Sequence, residues 1–224
     1  VTDYLASLRA DVDAILAVLA RADLTEPVPA CPGWTLRDLI EHLGGVHRWA
    51  AHVVRTGEPQ REEQHAVADL ATWFAEGADM LIATLAAADP NAPCWSFTRD
   101  RRAGFWLRRQ ALETTVHRWD AENAVGAPGA IAPSLASDGV AEVVKLMTPR
   151  QIALERIPPL PTTVLLHATD TGDEWMLGDG RPTAGVEATA ETLLLLLWHR
   201  VDPADPRVRT TGDPLDVLRL ALAP

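Results

Sequence analysis

Glu113 and His117 stand four residues apart in ALETTVHRWDAE, residues 111–122. In a helix that spacing puts both side chains on one side. Carboxylate and imidazole are donors for zinc and similar divalent ions, so the pair could supply two corners of a metal site. A third donor must come from elsewhere, and TLRDLIEHLGGVHRWAAHVV, residues 35–54, offers it in His42. Along that stretch the apolar row is Leu39, Leu43, Val46, Ala50 and Val53; His42 borders it on one side, His47 borders it on the other and His52 points away. Two histidines and one glutamate leave a position open on the ion, as catalysis requires. A plainer reading stands beside this one. Glu113 and His117 would then form a solvated i,i+4 pair worth about 0.2–0.5 kcal/mol, and His42 would be a hydrogen-bonded residue at the edge of a core.

The surroundings of the pair strain the plainer reading without deciding between the two. On a wheel for residues 104–124 with Val116 at the centre of the buried stripe, Phe105, Leu112 and Trp119 cluster about that centre. Arg109, Glu113 and Asp120 fall in the same arc, with His117 at its edge. A strip of one arginine, two acids and a histidine beside a core is costly unless its members pair or bind metal. Asp120, one turn past His117, could accept the proton of the imidazole nitrogen turned away from an ion, or else pair with Arg109. Glu41 and Glu122 read as solvent-facing charges, and His65, His167 and His199 have no partner at ligand spacing.

Four helices must position these groups. Leu5, Leu8, Val12, Ile15, Leu16 and Leu19 mark the first, about residues 2–22. The turn EPVPACPGW follows, and Thr35 with Asp38 forms a T-x-x-D capping signal for a helix reaching about Arg55. A third helix is predicted at about 62–88 and the fourth at about 104–124. Together they predict a four-helix bundle over residues 1–125. Residues 126–156 read as a linker with a bridging helix at about 134–147. From 157 to 224 the pattern becomes a small α+β unit. TTVLLHATD and WMLGD are its hairpin-like strands, a leucine-rich helix spans about 187–200, and a short strand at VRTTGD precedes a last helix at about 213–222.

Composition narrows the partners. A formal charge of −11 and no basic stripe beyond RDRR at 99–102 argue against nucleic acid. The longest apolar run, LLLLLW at 193–198, is too short to span a bilayer, and charges interrupt the start of the chain as they would not in a signal peptide. Cys31 and Cys94 form neither a disulfide framework nor a C-x-x-C pair, so a reducing cytoplasm is expected, with the protein a monomer or weak dimer.

CPGWTLRDLIEHL, residues 31–43, taken with FWLRRQALETTVHRWDAE, residues 105–122, resembles the mycothiol-dependent maleylpyruvate isomerase family, part of the wider group of DinB-like metal proteins. DTGDEWMLGDG at 170–180, ETLLLLLWHRVD at 191–202 and TTGDPLDVL at 210–218 resemble that family's sterol-carrier-like C-terminal domain. The resemblance covers nearly the whole chain in order. It implies an α+β protein, a DinB-like four-helix bundle followed by a small sterol-carrier-like domain. It also implies that His42, Glu113 and His117 are the ligands of a divalent metal, zinc by preference, and that mycothiol is the thiol cosubstrate. Many relatives carry histidine just before the glutamate, where this chain has Leu112.

The chemistry implied is attack by a metal-activated thiolate on a small electrophile. Completion by rotation and elimination isomerises a double bond; stopping after addition or displacement transfers sulfur. A dicarboxylate substrate calls for arginine, and Arg109 and Arg200 are the candidates. Arg200 follows an apolar helix, where a cation also suits the C-terminal dipole or a partner such as Asp202. Trp34, Trp49 and Trp119 could line the thiol site, although tryptophans at such spacing commonly pack cores. Cys31 sits in a turn with no base beside it. Two other functions fit the same ligands: a metal-activated-water hydrolase, and a binding protein without catalysis.

Overall fold

The computed structural model describes residues 2–60, 67–99 and 101–223. They form two compact units, Val1–Gly129 and Ala130–Pro224. Part of the stretch read as a linker therefore belongs to the second unit.

The first unit is a four-helix bundle of α1 (Tyr4–Leu19), α2 (Leu36–Thr56), α3 (Leu70–Ala87) and α4 (Gly104–Ala124). Each helix packs on two others: α1 on α3 and α4, and α2 on α3 and α4. The starts are set by side-chain caps. Asp3 accepts from the Ala6 N–H, and Thr35 and Asp38 form the reciprocal capping box that their spacing predicts. Gly57, with φ +78°, ends α2 in the left-handed conformation that a residue without Cβ adopts freely. The third helix begins at Leu70, capped by Asp69, later than its apolar pattern predicts; residues 62–66 of the expected span, His65 among them, lie outside the described residues. Among the described helices, α3 alone is long and apolar enough by composition to cross a membrane. Here its Leu70, Phe74, Ala78, Leu81 and Leu85 are buried in the bundle core.

The wheel for α4 is met in part: Val116 and Leu112 are buried, at 1% and 3% exposure. The bundle core also takes Trp106, Ala111 and Ala121 from this helix, spread over the side of the wheel away from Val116. Phe105 and Trp119 are only half-buried. Charge was a poor guide because α4 is buried almost all round, Arg109, Gln110, Thr114, His117, Arg118 and Asp120 included. Such a helix has no solvent face for its polar residues to mark. Glu122 likewise does not face solvent: it accepts from Arg118 and from the Gly129 N–H at 2.6 and 2.8 Å. Arg118 also reaches Asp11 on α1, to which Thr115 donates at 2.6 Å. Burial nevertheless pushes the Asp11 carboxyl above its usual pKa.

In the second unit, α5 (Pro133–Glu142) runs through a π-helical turn (Val143–Met147) into α6 (Thr148–Ala153). The wide turn precedes Pro149, which has no N–H to give an α-helical bond. The sheet has the order β2–β1–β3–β4, with β1 Val164–Ala168, β2 Glu174–Leu177, β3 Ala184–Ala188 and β4 Arg209–Thr211. β1 pairs antiparallel with β2 and parallel with β3. β3 escaped the sequence reading because AGVEA is short and built of small residues. The leucine-rich helix α7 (Ala190–Leu197) starts at the Thr189 cap and packs against α5, and the last helix, α8, is confined to Leu215–Leu218.

Candidate metal centre

Antiparallel packing of α2 against α4 brings His42 beside Glu113 and His117. One donor atom from each lies within 4.8 Å of the others. Glu113 Oε1 is 3.8 Å from His42 Nε2 and 3.5 Å from His117 Nε2. Donors sharing a tetrahedral zinc at bonds of ~2.0–2.1 Å are separated by roughly 3.4 Å, so this set fits a divalent ion with little movement. The three differ in access: the side chains of Glu113 and His117 are 12% and 7% exposed, that of His42 39%. One side of the cluster is therefore open.

Other side chains support these ligands. Asp120, fully buried, takes the proton of His117 Nδ1 at 3.0 Å, which turns Nε2 toward Glu113 and His42. A carboxylate behind a histidine in this way fixes its tautomer and raises its basicity as a ligand. The imidazole is thus one of the partners the fold supplies to Asp120. Arg109, buried one turn before Glu113, donates from Nη2 to Glu113 Oε2. Of the tryptophans, Trp34 meets the cluster: its ring is 5.1 Å from that of His42, held there by the Cys31–Trp34 turn just ahead of the Thr35 cap. Trp49 packs instead with Trp95, Phe97 and Trp106, and gives its indole proton to the Pro59 carbonyl. Trp119 is two residues from His117, which places it on the opposite side of α4.

Arg200 stands in the second unit at the end of α7. There its Nη1 donates to the Trp198 carbonyl at 2.6 Å, the C-terminal role that its position also predicts. The preceding residue, His199, takes a positive φ of 59° and contacts the Leu218 carbonyl. His167 is 3.8 Å from Glu187 on the neighbouring strand. Cys31 is half-buried in its turn, and Cys94 is buried with its thiol toward the Val53 carbonyl.

One residue was misplaced by the sequence reading. His47 is fully buried, its Nε2 2.9 Å from Thr114 Oγ1, beside Phe74. Leu43, His47 and Ala50 share the inner face of α2, whereas Val46 is only half-buried. The 43–47–50 spacing is the available signal, and it moves His47 from the border of the predicted row onto the buried face itself. Burial first, then the nearby His117, Arg48 and His42, hold the His47 pKa down to about 3. The unfolded chain takes up this proton below about pH 6.5 while the folded one does not. Stability should therefore fall as pH drops from 6.5 toward 3, by at most roughly 1.4 kcal/mol per unit from this group. His47→Gln should flatten that part of the urea-stability profile against pH; an unchanged slope would remove His47 from the account.

Residues 5–122 match the family described as Mycothiol maleylpyruvate isomerase N-terminal domain, and residues 134–219 match the MDMPI C-terminal domain. The chain belongs to the mycothiol maleylpyruvate isomerase family. Two similar solved structures have the same fold throughout. One is a mycothiol-dependent maleylpyruvate isomerase, at TM-score 0.67 and 15% identity; the other is a histidine-to-alanine mutant of a mycothiol-dependent maleylpyruvate isomerase, at TM-score 0.69 and 12% identity. Each alignment covers 94% of this chain and 93% of the other. No curated protein matches the chain. Family membership and the two-part architecture are thus as the motifs imply: a helical N-terminal domain followed by an α+β domain.

Proposed function

We propose that this protein is a divalent-metal-dependent, mycothiol-dependent enzyme acting on a small electrophile, by S-transfer or by cis–trans isomerisation of the maleylpyruvate isomerase type. The observation that carries the reading is the convergence of His42, Glu113 and His117, with one open side, in a chain that matches both domains of the family. These three residues hold the ion, zinc by the nature of the donors. When bound, it supplies a Lewis-acid position at which a thiol is favoured as thiolate. Asp120 orients His117, Arg109 orients Glu113, and Trp34 walls the exposed flank of His42, where the sugar-bearing part of mycothiol can stack. Cys31 and Cys94 are not joined in a disulfide, which suits a reducing cytoplasm.

An ordinary thiol of pKa near 8.5 is only about 3% ionised at pH 7, so complete ionisation is worth roughly 30-fold in rate. Untagged, zinc-loaded protein should therefore convert members of a panel of activated alkenes and halides faster with mycothiol than the metal-free protein does, by up to about 30-fold from ionisation of the thiol. Mass spectrometry then separates the outcomes. Isomer without conjugate identifies an isomerase, and conjugate a transferase. Hydrolysed product formed at the same rate without any thiol would contradict the reading and select the water-activating alternative.

A further inference from the structure

We infer that Arg109 is a positioning residue that divides the two oxygens of Glu113, so that the carboxylate offers the ion one oxygen and leaves the remaining positions for incoming ligands; this rests on the metal reading above. Arg109 is 4% exposed, and its guanidinium sits on Glu113 Oε2. The other oxygen, Oε1, is the one near both imidazole nitrogens. A carboxylate free to turn could chelate through both oxygens, filling a fourth position on a two-histidine site. With Oε2 engaged by a cation, a dication is kept from that side. A buried arginine a few ångströms from a divalent ion works against metal affinity by simple repulsion, so tighter metal binding does not explain its place. Control of the carboxylate does.

Charge points the same way. Glu113 and Asp120 are each negative, Arg109 is positive, and histidines must be neutral to act as ligands. A divalent ion then leaves the buried cluster at one net positive charge, which one anionic ligand such as a thiolate cancels. Without Arg109 these groups lose one positive charge beside the open position, and an anion is held less well there. Arg109 thus both keeps a position vacant and selects an anion for it.

The test uses full-length protein loaded with Co(II), whose visible absorption weakens as coordination number rises. Wild type, Arg109→Met and Arg109→Lys are titrated with 2-mercaptoethanol, and Co(II) affinity is measured by chelator competition. Arg109→Met should still bind Co(II), show the weaker bands of a site with an added oxygen, and bind the thiol at least about tenfold less tightly. Arg109→Lys, which keeps the charge but not the planar fork, should recover part of the thiol affinity. Spectra and thiol affinities equal to wild type in Arg109→Met overturn the inference. If Arg109→Met does not fold or loses Co(II), Arg109→Lys decides alone: an altered spectrum with weaker thiol binding supports it, and identity with wild type overturns it. Wild type that takes up no Co(II), or takes it up equally after His42→Ala, defeats the metal reading itself and is seen before any Arg109 variant is compared.

Discussion

His42→Ala should reduce divalent-metal affinity by more than the 10–100-fold that losing an outer partner of a ligand costs, and should abolish thiol-dependent turnover, with helix content unchanged. Of the three candidate ligands this is the cleanest to remove. Its side chain is 39% exposed, so truncation leaves no large cavity, and alanine suits the middle of a helix. Glu113→Ala and His117→Ala should lose metal equally, yet each disturbs more. The first takes the carboxylate from buried Arg109, and the second takes the imidazole donor from buried Asp120. Removing one partner of a buried pair is destabilising in its own right. Metal content of untagged protein, read with far-ultraviolet circular dichroism, checks all three. Full metal occupancy in His42→Ala would remove that residue from the ligand set.

Trp106→Ala should be the most destabilising single truncation in the bundle, at about 3–5 kcal/mol. Trp106 is fully buried, gives its indole proton to the Trp95 carbonyl at 2.7 Å, and meets the rings of Trp49, Trp95, Phe97 and Phe105. It is the point where α2, α4 and the connection between α3 and α4 are joined. At roughly 2–4 °C per kcal/mol for a chain of this size, the melting midpoint should drop by at least about 6 °C. Phe105→Ala, half-buried at the edge of the same cluster, should cost clearly less. A smaller loss for Trp106 than for Phe105 would show that the side of α4 assigned to the core is wrong.

These two residues also mark how far the sequence was legible. The helices could be read because their caps are local: Thr35 and Asp38 announce α2 whatever packs around it. The ligand spacing was legible for the same reason, since four residues make one helical turn wherever the helix lies. The inner face of α4 was not legible. Arg109, Glu113, Thr114, His117 and Asp120 break the apolar pattern that a wheel depends on, and their burial is compensated by partners on other turns and other helices. His47 was misjudged for a related reason: its hydrogen bond to Thr114 spans 67 positions of sequence and cannot be seen from α2 alone. Trp49 illustrates the converse. It shares a face of α2 with His42, but the segment carrying Trp95 and Phe97 folds over it, and no periodicity predicts the path of that segment. Arg109 lay on the predicted strip, yet its engagement with Glu113 became visible only with both side chains in place.

The central claim is that three side chains from two helices share one ion. Anomalous diffraction from crystals of untagged protein grown with zinc, recorded on both sides of the zinc absorption edge, tests it most directly. The account predicts a peak ~2.0–2.2 Å from His42 Nε2, His117 Nε2 and one oxygen of Glu113, with Arg109 on the other oxygen. Zinc bound elsewhere with these three side chains unliganded would contradict it.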